Sequence, residues 1–259
     1  MRPLIALALA GALAAQDTRA EIAFIACPIY RDVDAGPKSG CWLADDAESG
    51  QRYDISQAPV KPDWNRAVLV EGTLAPQAAD SCGGALLDPV RVSLLHEDVC
   101  PRALLPAEGF PGHPFKLPAH LIRPLYEARP PFEGPLTQRR FSIPFSFGST
   151  FVDYQLSDYY ADQAAAYALA AGAREVRITG WADTRPWPVS GRALREPLAV
   201  GEARAKAVAT WMERLGVASD RLKIVWKGDP APADFEGAGG IESASRRRVD
   251  VEIIPGAKS

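Results

Sequence analysis

Histidine and methionine are scarce in this chain of 259 residues, at 3 and 2 copies, and no Cys-x-x-Cys pair occurs. The histidines, His96, His113 and His120, have no cysteine or carboxylate partners at ligand spacing, so neither a metal centre nor a metal cofactor is implied. An excess of positive charge is missing too. With a formal net charge of −3 and a pI near 5.7, the chain offers no broad basic field for nucleic acid. Beyond the N-terminus no run of about 18 apolar residues occurs, and a transmembrane helix is unsupported. Neither a Ser-His-Asp set nor a pair of opposed carboxylates stands out. The sequence therefore reads as a binding protein rather than an enzyme, with no cofactor expected.

What is present begins with a leader. Arg2 supplies charge, Pro3 to Ala15 is apolar, and Ala12-Leu13-Ala14 forms a small-x-small cleavage site, so residues 1–15 read as a signal peptide. Cys27 follows Phe24-Ile25-Ala26, but Asp17, Arg19 and Glu21 separate it from the leader, which argues against a lipid anchor. In an exported chain, Cys27, Cys41, Cys82 and Cys100 imply two disulfides. Three pairings are possible. Closure of the shortest loops favours Cys27–Cys41 with Cys82–Cys100.

Three textures follow the leader. Residues 21–100 carry short apolar runs at Ile22–Ile25, Trp42–Ala44, Gln51–Ile55, Ala67–Val70 and Val90–Leu95, separated by Gly, Pro and Asp clusters. This predicts a small, disulfide-containing all-β domain, OB-like in type. Residues 101–140 hold nine prolines and few backbone donors, and read as an extended connector. Residues 141–259 alternate strand and helix. Phe141 to Phe147 puts Phe141, Ile143, Phe145 and Phe147 on one face and confines Pro144 to an edge or strand end. Ser157 caps a helix over 158–171 that Gly172 ends, and a strand covers 174–180. A second helix over 201–215 buries Val208, Trp211 and Leu215, and strands at 222–226 and 248–254 complete the series. The fold class is α+β, with a C-terminal β-α-β-α-β-β domain built on a mixed four-stranded sheet.

The candidate site lies where the second strand of that domain ends. Asp183 falls just past the strand, and Arg204 lies on the first turns of the next helix, where a cation is unfavourable unless an anion joins it. Together they suit a ligand bearing both an ammonium and a carboxylate. The competing reading pairs Arg204 with Asp183 or Glu202 in a network that binds nothing.

Four motifs occur in series: Phe145-Ser-Phe-Gly-Ser-Thr150, Ile178-Thr-Gly-Trp-Ala-Asp183, Val200-Gly-Glu-Ala-Arg-Ala205 and Arg246-Arg-Arg-Val-Asp-Val251. In that order, residues 141–254 resemble the OmpA-like C-terminal domain, the peptidoglycan-binding module also found in Pal and MotB proteins. The resemblance implies non-covalent binding to the diaminopimelate residue of the peptidoglycan stem peptide. It assigns Asp183 to the ammonium and Arg204 to the carboxylate, with Trp181, Thr184 and Arg247 completing the site. Arg247 and Arg248 face opposite sides of a strand, and Arg248 starts the alternation with Asp250 and Glu252, which leaves Arg247 for the site.

The chain departs from the family pattern in places. Trp181 stands where His is usual, Pro197 where an Asn often precedes the helix, Gly201 where Ser is usual, and Arg246 where Asn precedes the arginine pair. An insertion around Arg185 to Arg192 either covers the site as a lid or changes ligand choice, and its Trp187 either stacks on a sugar or covers the helix. The expected protein is a periplasmic, Gram-negative envelope component associated with the outer membrane or cell wall, whose N-terminal domain is presented to an envelope protein partner. The alternative is an adaptor that keeps the fold and has lost peptidoglycan.

Overall fold

The computed structural model describes residues 20–34, 40–76, 80–114 and 132–256. The expected signal peptide, His120 and the middle of the proline-rich stretch lie outside the described residues. The N-terminal half contains β1 (Ile22–Ala26), β2 (Pro28–Arg31), β3 (Cys41–Asp45), β4 (Arg52–Asp54), β5 (Arg66–Leu74), β6 (Ala85–Val99) and β7 (Ala103–Leu105). Their order across the sheet is β1-β5-β6-β4-β3-β2-β7. Since β1 and β2 are one run broken only at Cys27, the first run pairs near both ends of the sheet and closes it into a five-run barrel. This is the OB-like all-β domain expected. Alternation sends Phe24, Val68, Val70 and Val92 into the barrel core with Ile55 and Leu87. On the other face of β5, Ala67 and Leu69 are buried as well, because that face meets the second domain. Burial on both faces is why Ala67 to Val70 reads as a continuous apolar run.

The disulfides are Cys27–Cys100 and Cys41–Cys82, not the short-loop pairs expected from sequence. Strand order explains the difference. Ala26 pairs with Val68 and Arg66 pairs with Val99, so the residues just after β1 and β6 meet over the start of β5. The Cα atoms are 5.6 Å and 5.9 Å apart, and the separations are 73 and 41 residues. On loop-entropy grounds each bridge contributes about 4 kcal/mol, more than the shorter loops would.

The connector is anchored at both ends. β7 pairs in parallel with β2, and His113 Nε2 lies 2.5 Å from Asp54 Oδ2 on the barrel. That hydrogen bond raises the His113 pKa above its usual value, against the opposing effect of burial. At the far end, Phe132 and Leu136 pack on the C-terminal core and the Tyr167 hydroxyl donates to Thr137 O at 2.7 Å.

The C-terminal domain contains β8 (Arg139–Pro144), α1 (Asp158–Ala170), β9 (Glu175–Ala182), β10 (Trp187–Val189), β11 (Arg192–Leu194), α2 (Leu198–Arg214), β12 (Leu222–Gly228), α3 (Glu242–Ser245) and β13 (Arg248–Ile254). Its mixed sheet runs β12-β9-β13-β8, with β12 parallel to β9 and the other pairs antiparallel. Pro144 ends β8, an edge strand, where its missing N–H costs no ladder bond. Ser157 does not cap α1 with its side chain; its hydroxyl donates to Pro144 O at 2.7 Å and ties the helix start to the end of β8. Helices α1 and α2 cover one sheet face, burying Ala161, Ala164, Val208 and Met212 on Val176, Ile178, Val249 and Val251. The helix–sheet contact is closest at two glycines. A Cβ on Gly180 would fall 1.9 Å from Gly201 O, so α2 can lie this near β9 only with glycine there, and Gly201 instead of serine suits the same approach.

Candidate functional site

Close packing of α2 on β9 sets Arg204 directly under the site. The side chain is fully buried and all five N–H donors are taken. Nε donates to Ser149 O at 2.8 Å, Nη1 to Trp181 O at 2.9 Å and Glu196 Oε2 at 2.8 Å, and Nη2 to Ser146 O at 3.0 Å and Glu196 Oε1. Glu196, 2% exposed, also accepts the backbone N–H groups of Asp183 and Gly148 at 2.9 Å and 2.8 Å. Burial alone would raise the Glu196 pKa, but the Arg204 charge and hydrogen bonds hold it below the usual carboxylate range. The seat that sequence reasoning assigned to a ligand carboxylate is filled by a carboxylate of the chain.

Asp183 behaves differently. Its backbone is pinned, since Glu196 N donates to Asp183 O at 2.7 Å and Asp183 N donates back to the Glu196 side chain. The residue is 5% exposed and lines a cleft of about 560 Å³ between the two domains, together with Arg185, Trp187, Glu242, Arg246 and Glu21. Burial pushes this carboxyl above its ordinary value; Arg247 and Arg246 pull it back, while Glu196 and Asp229 push it up. A carboxylate so placed favours the approach of a cation.

Arg247 lies close by, 1% exposed, on the segment joining α3 to β13. Its Nη2 donates to Glu71 Oε2, on β5 of the barrel, while Nε and Nη1 have no hydrogen-bond partner among the described residues. Arg248 points the other way. It donates to Asp250 at 3.0 Å and to Ser245 O at 2.7 Å, with its guanidinium 5.7 Å from the Trp181 ring.

Trp181 lies on the sheet face away from α2, where its Nε1 donates to Asp250 Oδ2 at 2.8 Å. Thr184 lines a second cleft, of about 610 Å³, and its hydroxyl donates to Asp229 at 2.8 Å. The structure therefore brings Asp183 to the interdomain cleft and places Arg247 near it electrostatically. It locks Arg204 behind that cleft and sends Trp181 and Thr184 elsewhere.

The insertion folds as the hairpin β10–β11, turning at Ser190 and Gly191, which both have positive φ as a two-residue primed turn requires. It clamps the domains together. Val189 and Leu194 are buried against Ala67, Leu69 and Leu95 with Trp187 packed beside them, and Ile25 N donates to Ser190 Oγ at 2.9 Å. Trp187 and Pro188 also form one wall of the cleft.

Sequence reasoning missed Glu196, Glu71 and Glu21. Glu196 had a weak signal, an acid just before Pro197 at the start of the helix bearing Arg204. Glu71 had a stronger one, a charge within the apolar run of a strand buried on both faces. Glu21 had none. The sole group of metal-type ligands among the described residues is Cys41, Asp54 and Cys82, where both sulfurs are in the disulfide and Asp54 accepts from Ser56 N–H and bonds His113.

No family model matches the chain, and no curated protein matches it. Among solved structures it is similar to the OmpA-like domain of FopA1 from Francisella tularensis subsp. tularensis SCHU S4, at 18% identity over 46% of this chain and 73% of that one, with a TM-score of 0.36. It is also similar to the peptidoglycan-associated lipoprotein from Burkholderia pseudomallei, at 25% identity over 44% of this chain and 89% of that one, with a TM-score of 0.31. A third is the cell wall anchor of the T6SS from Pseudomonas aeruginosa, at 22% identity over 48% and 86% of the two chains, with a TM-score of 0.30.

Proposed function

We propose that this chain is a periplasmic, non-enzymatic anchor that holds peptidoglycan non-covalently, taking the diaminopimelate of a stem peptide into the interdomain cleft. The observation that carries the reading is Asp183, 5% exposed and lining a cleft that Arg185 and Arg246 also line. Asp183 receives the ligand ammonium. The ligand carboxylate is met by Arg246 or Arg185, which line the cleft, rather than by the buried Arg204. Arg204 acts behind the cleft by holding Glu196, which in turn holds the Asp183 backbone. The four motifs in order and the β-α-β-α-β-β topology support the reading.

A buried charge-assisted contact at Asp183 contributes about 1.5–3 kcal/mol, a tenfold or larger effect on affinity. In co-sedimentation with diaminopimelate-type sacculi, wild-type protein pellets and folded Asp183→Ala stays in the supernatant.

One observation favours a second reading. Glu196 saturates Arg204, so the fold can stand without a ligand and serve as a protein-interaction adaptor in the envelope. Folded wild type that leaves sacculi unbound would overturn the anchor reading and turn the search to protein partners.

A further inference from the structure

The segment from Gly237 to Arg247, which brings Arg246 to the cleft, is held by the barrel. Helix α3 begins after Ile241, a residue with no side-chain acceptor, and it has no cap of its own. Its first N–H groups are taken from the other domain. The carboxylate of Glu21, just before β1, accepts Glu242 N–H at 2.9 Å and Ser243 N–H at 3.3 Å. On β5, the fully buried Glu71 accepts the Ser243 hydroxyl through one oxygen and Arg247 Nη2 through the other, so it grips both ends of the helix. On β6, Arg91 Nη2 donates to Gly237 O.

Glu21 is itself exposed to the cleft, where it and Ala23 form the wall contributed by the barrel. The site domain supplies Asp183 and the hairpin wall. Neither domain alone encloses the cleft; Arg246, whose guanidinium donates to Glu242 Oε1 at 3.0 Å and Pro230 O at 3.3 Å, projects from a backbone that Glu21 and Glu71 hold on either side.

We propose that the N-terminal barrel is half of the ligand site: Glu21 and Glu71 are positioning residues that set Arg246 and Arg247 against Asp183, so that ligand binding and domain docking are one linked equilibrium. This rests on the anchor reading and deepens it. Linkage makes the effect reciprocal: ligand tightens the docked arrangement by the factor by which docking tightens ligand. Glu21 also adds negative charge to the cleft, so the preferred ligand carries a free ammonium beside its carboxylate, and a stem peptide whose distal amine is acylated is disfavoured.

The test uses the full mature chain and a soluble disaccharide–tripeptide ending in meso-diaminopimelate. Affinity is measured by calorimetry, and amide hydrogen exchange is followed at Glu242, Ser243 and the 67–71 strand. Glu21→Gln, which keeps the size and one acceptor, should bind about tenfold more weakly, and Ser243→Ala should lose less. In wild type, ligand should slow exchange in the 67–71 strand of the barrel, which a purely structural cap would leave unmoved. N-acetylation of the distal amine should weaken binding to wild type more than to Glu21→Gln.

If wild type binds and Glu21→Gln binds equally well, with no ligand effect on the barrel amides, the shared site is overturned while the anchor reading stands. If folded wild type does not bind the muropeptide, both fall together.

Discussion

Arg204, at the centre of the C-terminal domain, and Arg247, at the seam between the domains, are both fully buried cations paired with a buried glutamate. They differ in how completely the chain satisfies them. Arg204 spends all five donors within its own domain, on Glu196 and three carbonyls. Arg247 spends Nη2 on Glu71 of the other domain and leaves Nε and Nη1 without hydrogen-bond partners among the described residues. A buried guanidinium with full geometry is a structural fixture, whereas Arg247, 5.8 Å from the Phe147 ring and with two donors unpartnered among the described residues, depends on the seam between the domains for its ion pair with Glu71. The motif order points to Arg204 as the ligand's arginine; the structure buries it and fills all five of its donors from within the chain.

The largest effect that would sharpen the contrast is expected from Glu196→Ala. It strands the Arg204 charge in a site that water cannot reach, and should cost about 3–5 kcal/mol in urea unfolding. It also releases the Asp183 backbone, so wall binding should fall with stability. Glu71→Ala should cost less, about 2 kcal/mol, because parting of the domains lets water reach Arg247. Its signature should be separate melting of barrel and site domain where wild type melts once. If Glu71→Ala proves as costly as Glu196→Ala, the distinction between fixture and seam fails.

Asp183→Asn should show the smallest stability change, under about 1 kcal/mol and on the stabilising side at neutral pH. The sign follows from a folded pKa raised by burial. An ionised Asp183 is disfavoured in the folded chain, and that cost is relieved as pH falls through the raised value towards the ordinary value of about 3.9. The stability gap between wild type and Asp183→Asn should therefore close on acidification. Binding to sacculi should weaken over the same window, at a higher pH than an ordinary aspartate would give. A gap that widens on acidification would mean that Asp183 is paired in the native state.

Much of the architecture was legible because it rests on local pattern. Alternation from Phe141, glycine stops at Gly172 and Gly216, and turn clusters between short strands correspond to observed elements, but β8 ends at Pro144 and Phe147 packs at the domain seam instead of on the sheet core. Helix α2 begins at Leu198 rather than 201 because Pro197 starts it, and proline is well placed at a helix entrance. The disulfide pairing was not legible, since short loops are favoured only when strand order is unknown; here β5 brings together residues that are 73 positions apart. The insertion showed as extra residues, but its role as a clamp depends on the apolar outer face of β5, which looks like core in sequence.

The sequence by itself determined the two folds, the positions of Asp183 and Arg204 beside one strand end, and the presence of two disulfides, because periodicity, turn residues and cysteine number act locally or by count. Only the tertiary structure decided which carboxylates meet which arginines. Glu196 lies 8 residues from Arg204 and Glu71 lies 176 from Arg247, and both contacts pair a glutamate with an arginine. Pairing in a dry interior is set by where close packing leaves a charge without water, and that location depends on the docking of β5, the hairpin and α3, a property of the assembled surfaces and of no single segment.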